Sequence, residues 1–411
     1  MNTVYKLTTM AALVAVNTTG LLADSIESAL DDSKAKLSEA VPGKFSINSR
    51  VRYEVFDVDN GNPALDRDGT SLRVRYGYTT PNFEGFTAMV EGETLTRLGG
   101  DPADIHPLDD AGDGTDLNQL WVQYADADNG KVKVGRQIYA LDDQRFIGHV
   151  GWRQNIQVFD AATFDYTGVD KVSVKGFFID ERHLVGGTHN KTDTWGLNVS
   201  YAFAPSFKLT GFYYDIEGED AAATTSQTIG LRATGSYKIE DVKLAYSVSI
   251  AEQENDGSPL ADYDAGYFAG DLAATFSGLT LGGGFEILEP SFRTPFATVH
   301  KFNGFADALL PLGGFAEGLE DMYVYAGYKI PVGNGIAFKV IYHWFDAEDS
   351  APGRDGGEEL DFVASYKINK YFNILAKYGS YESDGGLTAP DPAWSGRADK
   401  DMFTLELNFV Y

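Results

Sequence analysis

Four arginines in two neighbouring stretches of the sequence have the spacing and the chemistry of an anion-binding surface. Arg50 and Arg52 are two residues apart, and so are Arg73 and Arg75. Because side chains alternate between the two faces of a β-strand, each pair would lie on one face of its strand. Guanidinium groups bind carboxylates through paired hydrogen bonds, so these side chains could bind anionic solutes. The alternative is a ladder of internal ion pairs that only stiffens the protein, formed with Glu54, Glu91 and Glu93.

A second group of candidate residues lies in residues 137–157, where the alternation of apolar and polar residues is lost. This segment, preceded by Arg136, is too long for a turn. It combines arginine, aromatic and amide side chains that could hold an acidic sugar: Arg145, Arg153, Trp152, Gln144 and Gln154. We expect either a loop that folds inward as a constriction or a plain extracellular loop.

Motifs for catalysis or for cofactor binding are missing from the sequence. The six histidines are scattered without the spacing of a zinc site. No nucleophile elbow, P-loop or dinucleotide fingerprint occurs in a usable context. Residues 101–116 are rich in aspartate but lack the spacing of an EF-hand, so a solvated loop is favoured over a Ca²⁺ site. We therefore predict no enzyme activity, no cofactor and no metal.

The composition restricts the class of protein further. The chain has 411 residues, a formal net charge of -27, 45 Gly, 23 Tyr, 26 Phe and no Cys. The absence of cysteine excludes a disulfide scaffold and a thiolate metal site. So acidic a chain lacks the basic face that a nucleic-acid partner would require. The abundance of glycine and tyrosine suits many short amphipathic strands.

The first 43 residues differ from the rest of the chain. A short region ending at Lys6, an apolar stretch and a small residue at Ala23 indicate a signal peptide over residues 1–23. Residues 24–43 have the spacing of a short helix that ends at Pro42 and Gly43, and we expect a short periplasmic segment. No later segment has the roughly 18 consecutive apolar residues of a membrane-spanning helix.

Residues 44–411 alternate with a period of two. In Leu72–Arg73–Val74–Arg75–Tyr76, for example, apolar and polar residues take turns, as they do in eighteen candidate strands. Short turns and long polar loops, of which residues 288–319 are one, connect these strands in alternation. This pattern predicts an all-β fold, a transmembrane antiparallel up-and-down barrel with short periplasmic turns and long extracellular loops. The last strand ends at an aromatic residue, Tyr411, a feature that the outer-membrane assembly machinery recognises.

The barrel hypothesis determines which side chains face the lumen. Since every backbone polar group in lipid must be paired and the apolar face must contact the lipid, the polar face lines the interior. Thirteen basic residues are then predicted to point inward: Arg50, Arg52, Arg73, Arg75, Lys133, Lys175, Lys208, Arg232, Lys243, Lys329, Lys339, Lys367 and Lys377. Eight acidic residues join them: Glu54, Glu91, Glu93, Asp165, Asp271, Glu286, Asp361 and Glu406. The lumen is thus expected to be net basic.

Several stretches resemble the alginate export family of outer-membrane porins, namely residues 71–78, 134–137, 141–148, 151–155, 159–161, 300–307 and 318–319. The resemblance implies an eighteen-stranded barrel in the Gram-negative outer membrane, with an arginine-rich constriction that passes an anionic polyuronate. The arginines that would form it are Arg50, Arg52, Arg73, Arg75, Arg136, Arg145 and Arg153. Arg232 and Lys133 complete the candidate pore-lining residues.

These observations favour a passive outer-membrane channel that prefers anions, either small solutes or acidic oligo- or polysaccharides. The alternatives are a general diffusion porin without a preferred solute and a closed barrel that acts as a surface-binding or structural protein. The expected partners are outer-membrane lipid, anionic solutes or acidic oligosaccharides, and the assembly machinery, with no nucleic acid.

Overall fold

The computed structural model describes residues 20–59, 66–99, 112–218, 225–255, 262–310, 315–331, 333–348, 355–387 and 398–411. Within these residues the chain forms one α-helix, α1 (Gly20–Ala40), one turn of 3₁₀ helix (Val299–Lys301) and eighteen strands. The strands are β1 Lys44–Asp59, β2 Arg67–Thr79, β3 Phe86–Gly99, β4 Gly114–Asp126, β5 Gly130–Gln137, β6 Val158–Tyr166, β7 Val172–His183, β8 His189–Ala204, β9 Phe207–Ile216, β10 Ser226–Ile239, β11 Val242–Asn255, β12 Tyr263–Phe276, β13 Leu279–Leu288, β14 Leu319–Ile330, β15 Ile336–Asp346, β16 Asp355–Lys367, β17 Phe372–Glu382 and β18 Asp399–Val410.

The eighteen strands form one closed antiparallel barrel. Each strand pairs with its neighbours in the sequence, and β1 pairs with both β2 and β18, which closes the sheet. Closure leaves no edge strand with unpaired backbone groups, as a span through lipid requires. The predicted fold class is confirmed.

The outward face of the barrel is apolar, as the alternation predicts. Leu120 and Val122 of β4 and Val132 and Val134 of β5 are about half exposed, because they point away from the interior. Such a band of exposed apolar side chains is stable only in contact with lipid.

Helix α1 lies at the short-turn end of the barrel. Asp31 accepts hydrogen bonds from Lys370 Nζ and from the Tyr371 hydroxyl, each at 2.6 Å, and so joins the helix to the turn between β16 and β17. The helix begins at Gly20, inside the expected signal peptide, whose residues 1–19 lie outside the described residues. No helix in the described part of the chain is long and apolar enough to cross a membrane.

Two long connections fold into the barrel from its long-loop end. We call residues 138–157, between β5 and β6, the first inner loop, and the described residues 289–310 and 315–318, between β13 and β14, the second inner loop. Ile147 of the first and Phe292 of the second are fully buried, in one apolar cluster with Phe159 of β6. The first inner loop therefore folds inward, as one of the two expectations had it. The second inner loop corrects the prediction of a polar extracellular loop, because its apolar side chains Phe292, Phe296, Leu309 and Phe315 are buried inside the barrel.

Candidate functional site

The candidate site is a wall of arginines inside the barrel, formed by β1 and β2. Arg50 and Arg73 are direct cross-strand partners, and Arg52 and Arg75 are on the same inward face. Arg52 and Arg73 are 1% exposed, which is unusual for side chains that carry a charge. The strict alternation of these strands places all four guanidinium groups on one patch of the lumen wall.

The tip of the first inner loop covers this wall with backbone oxygens. Arg50 Nη1 donates to the carbonyls of Trp152 at 2.8 Å and of Arg153 at 3.0 Å, and Arg52 also donates to the Trp152 carbonyl. Arg75 Nη2 donates to the Gln154 carbonyl at 3.1 Å. Three wall arginines therefore hold consecutive carbonyls of the loop in the place where an anion could bind.

Carboxylates satisfy part of the remaining charge. Arg52 pairs with Glu406 of β18 at 2.7 Å, and Arg75 pairs with Glu93 of β3. Of the ladder with Glu54, Glu91 and Glu93 that the sequence left as an alternative, Arg75 pairs with Glu93 and Arg52 lies 3.3 Å from Glu54, whereas Glu91 accepts hydrogen bonds from Asn118 and Gln119. Arg73 donates to Asn48 and its Nε has no hydrogen-bond partner among the described residues.

Three positively charged side chains lie near the indole ring of Trp152, at the tip of the first inner loop. The guanidinium carbons of Arg153 and Arg52 lie 4.8 Å and 5.2 Å from the ring centroid, and Lys377 Nζ of β17 lies 5.7 Å away. Cations over an aromatic face are attracted by its quadrupole. Arg153 also lies 3.7 Å from Glu54, so this predicted residue joins the same wall.

A histidine of the second inner loop completes this packing. His300 stacks on Trp152 with ring centroids 3.5 Å apart, and its Nδ1 is 3.0 Å from Asp307. Burial lowers the pKa of His300 to about 4, despite the nearby Asp307 carboxylate. The ring is therefore neutral at pH 7, and Nδ1 donates its proton to Asp307.

A second stretch of the lumen wall, formed by β14 to β16 and separated from β1 by β17 and β18, is acidic. Glu359 of β16 accepts the Ala306 backbone N–H at 2.6 Å, and Asp361 accepts that of Phe305 at 3.1 Å. Asp321 of β14 is 2.8 Å from Nδ1 of His343. The two walls are thus complementary: the basic wall holds carbonyls of the first inner loop, and the acidic wall holds amides of the second.

Arg145 fixes the body of the first inner loop to the far side of the barrel. It makes a bidentate pair with Glu286 of β13, with both distances at 2.8 Å, and is 1% exposed. Burial by itself would lower the pKa of Arg145, but Glu286, Tyr267 and Asp143 together outweigh this effect, and the pKa is raised. The predicted Arg145 therefore anchors the first inner loop to β13 and is not part of the arginine wall of β1 and β2.

A chamber of about 330 Å³ remains between the second inner loop and the wall. Arg232, Lys301 and Lys339 supply positive charge to its lining. Its acidic lining residues are Asp143, Asp271, Glu286, Asp321 and Asp361. Arg232 of β10 pairs with Asp143 of the first inner loop at 2.5 Å, so this predicted residue lines the chamber and not the arginine wall.

Two predicted residues lie elsewhere. Lys133 of β5 faces the lumen, with its Nζ 4.4 Å from the centroid of the Trp121 ring. Arg136 follows Val132 and Val134 on the outward face and pairs with Asp160 at 2.8 Å. Arg136 therefore does not line the pore, because the alternation of β5 continues up to the end of that strand.

The predicted inward set omits three residues that belong to this interior, although Lys400 is on the same face of β18 as the predicted Glu406. Lys400 of β18 is buried and donates to the Asp307 carbonyl at 3.0 Å. His300 and Lys301 belong to the second inner loop, where no alternation indicates an inward face. Of the aspartate-rich residues 101–116 considered for Ca²⁺, residues 101–111 lie outside the described residues.

The fold is similar to that of solved outer-membrane porins. OccAB2 of Acinetobacter baumannii matches with a TM-score of 0.71 and 13% identity over 90% of this chain and 98% of that chain. OccK11 (OpdR) of Pseudomonas aeruginosa matches at 0.67 and 17% over 90% of this chain and 97% of that chain. OpdK of Pseudomonas aeruginosa, solved with vanillate, matches at 0.67 and 12% over 90% and 98%. At these identities the likeness establishes the fold.

The sequence itself matches a family model. Residues 41–254, just over half of the chain, match the family described as alginate export, whereas a comparison with curated proteins found no match. The matched residues contain β1, β2 and the whole first inner loop. The fold and this match place the barrel in the outer membrane of a Gram-negative bacterium. The chain belongs to the alginate export family of outer-membrane porins.

Proposed function

We propose that this porin is a passive channel that prefers anions, either small acidic solutes or acidic oligo- or polysaccharides. The observation that carries the proposal is the grouping of Arg50, Arg52, Arg73 and Arg75 on one patch of the wall, with Arg153 at the tip of the first inner loop that covers it. Five guanidinium groups in this region create a positive potential. Carboxylates pair with only some of these groups, so part of the positive potential remains. A ring or wall of basic side chains is one way in which a pore favours anions.

The loop carbonyls suggest how an anion would bind. Backbone oxygens of residues 151–154 occupy donor groups of Arg50, Arg52 and Arg75, so they stand in for the oxygens of a carboxylate. A uronate carboxylate offers the same oxygens with a full charge and forms shorter, stronger hydrogen bonds. An acidic sugar could therefore compete with the loop tip for these arginines.

A second candidate function, a general diffusion porin, is supported by the acidic wall. Glu359 and Asp361 are opposite in charge to the arginines, and a lumen with basic and acidic walls orients polar solutes without strongly selecting one sign. The third candidate is a closed barrel that binds ligands at the cell surface. Neither alternative requires catalysis, and porins of this family are not enzymes.

Single-channel recording of the refolded barrel in planar bilayers, under a salt gradient and with an oligouronate added, separates the three. Anion-selective current that the oligouronate blocks supports the proposal. A large current without selectivity supports the general porin. A folded, heat-modifiable barrel that passes no current supports the binding protein and contradicts both channel functions.

Export and assembly belong to the same proposal. Residues 1–23 would direct the chain to the periplasm as a cleaved signal peptide, and β18, which ends next to Tyr411, would be recognised by the assembly machinery. Amino-terminal sequencing of the membrane-inserted protein tests the first point, since it should begin at Asp24.

A further inference from the structure

Three side chains with metal-binding atoms meet outside the lumen, at the extracellular end of the barrel. Asp160 is near the start of β6, and Glu181 and His183 are at the end of β7. One ligand atom from each lies within 4.8 Å of the other two. The residues are about twenty positions apart in sequence, which is why the spacing of histidines gave no indication of a site.

The cluster faces away from the lumen. Asp160 is next to Phe159 and Ala161, which are buried inside the barrel, so its side chain points outward. Glu181 is its cross-strand partner on β7. The ligand side chains of Asp160, Glu181 and His183 are 29%, 18% and 21% exposed, so an ion in solution can reach them.

The distances suit a tetrahedral ion. His183 Nε2 is 3.1 Å from Asp160 Oδ2 and 3.6 Å from Glu181 Oε2. Zinc bonds of about 2.0–2.1 Å place neighbouring tetrahedral ligand atoms about 3.3 Å apart. These two distances bracket the tetrahedral value and the third is within 4.8 Å, so side-chain adjustment would accommodate a zinc ion, and imidazole with carboxylate is a ligand set that zinc accepts.

Two further residues hold the ligands in place. Arg136 binds both oxygens of Asp160 at 2.8 Å, and a carboxylate oxygen retains a second lone pair for a metal. His189 Nδ1 is 2.5 Å from Glu181 Oε1, which leaves Oε2 directed at His183. Groups that orient metal ligands in this way commonly raise metal affinity by 10–100-fold.

We propose that Asp160, Glu181 and His183 form a Zn²⁺ site on the outer face of the barrel, with Arg136 and His189 as positioning residues. The three protein ligands leave the fourth position of a tetrahedral ion to water. The ion would join β6 to β7 beside the base of the first inner loop, which ends where β6 begins.

The test is zinc binding by the refolded barrel after treatment with a chelator, measured by competition with a chromophoric chelator and by the absorption of bound Co²⁺. We expect one Zn²⁺ per chain and a Co²⁺ spectrum of low coordination number. His183→Ala and Glu181→Gln should each weaken binding by at least about tenfold. His189→Ala should weaken binding but retain the Co²⁺ spectrum.

The matched control is Asp165→Asn, which removes a carboxylate of the same strand that pairs with Lys131 inside the barrel. It should bind zinc as the unmodified chain does. Heat-modifiable migration shows that each variant is folded. A folded barrel that binds no stoichiometric Zn²⁺, or variants of His183 and Glu181 that bind it undiminished, would overturn the site.

Discussion

Arg50 of β1 and Arg73 of β2 are cross-strand partners inside the barrel, yet of the two only Arg50 donates hydrogen bonds to the first inner loop. Arg50 donates to two loop carbonyls, whereas Arg73 donates to Asn48 and has a buried Nε without a hydrogen-bond partner among the described residues. Like charges this close repel each other, and a buried donor without a partner is unfavourable. Arg73, although buried, is therefore the wall residue that would gain most from an anion beside it.

Replacing Arg73 should reduce anion selectivity. A unit charge within about 4 Å of an ion contributes about 1 kcal/mol even in water, which is about fivefold in a permeability ratio. We expect Arg73→Gln to lower the anion-to-cation ratio by about that factor in a reversal-potential measurement. Lys208→Gln is the control, because this substitution removes one positive charge from β9, far from the arginine wall of β1 and β2. Equal shifts in the two variants would contradict a localised anion site.

The buried pair of Arg145 and Glu286 should keep the first inner loop in place. Removing one partner of a buried ion pair costs about 3–5 kcal/mol, because the other charge is left buried. Arg145→Ala should therefore release the loop and give a larger and noisier single-channel conductance. Arg136→Ala breaks a similar bidentate pair on the outward face, where exposed pairs contribute roughly 0–1 kcal/mol, and should conduct as the unmodified channel does. Identical traces from the two variants would show that the pair does not anchor the loop.

Acid should loosen the contact between the two inner loops. The pKa of His300 is about 4 in the folded protein, below the ordinary value of 6.5, because the ring is buried. The undocked loop binds the proton more readily, so docking is fully stabilised above about pH 6.5 and weakens as the pH falls towards 4. Asp307 favours the protonated ring, whereas Lys377 and Arg52 oppose it.

We expect the current noise to increase as the pH falls through this range. His300→Gln should abolish this increase. The amide of the variant retains an N–H donor for Asp307 but does not titrate. If the noise of the variant rises with acid as before, another group is responsible.

The second inner loop should be sensitive to the size of residue 379. A Cβ on Gly379 of β17 would lie 2.6 Å from the backbone nitrogen of Ala306, closer than real contacts allow. Gly379→Val should displace the loop and increase conductance while the barrel still folds. At Gly69 of β2 a Cβ would meet only the Gly99 carbonyl at 3.7 Å, so Gly69→Val is the matched control. Normal conductance in the Gly379 variant would mean that the loop moves aside without opening the pore.

Local patterns in the chain were sufficient for the barrel, for the number of strands and for the inward set on β1 and β2. The alternation of Leu72, Arg73, Val74 and Arg75 is a property of neighbouring residues, and lipid requires the apolar face to be outside. The same reasoning predicts Lys133 and Arg232 inside the lumen, where the structure has them. These conclusions need no knowledge of contacts between distant segments.

Long-range contacts decided what occupies the lumen and which arginines meet. The second inner loop enters the barrel because its apolar side chains, such as Phe292, pack in one cluster with those of the first inner loop, such as Ile147, although the two loops are far apart in the sequence. Arg145 reaches Glu286 for the same reason, since no periodicity continues through a loop, whereas Arg136 is in β5 and its outward side follows from the alternation of that strand. The grouping of Asp160, Glu181 and His183 likewise arises only when β6 and β7 pair. A periodic pattern records which face a side chain is on, whereas the folded chain determines which distant partner that face meets.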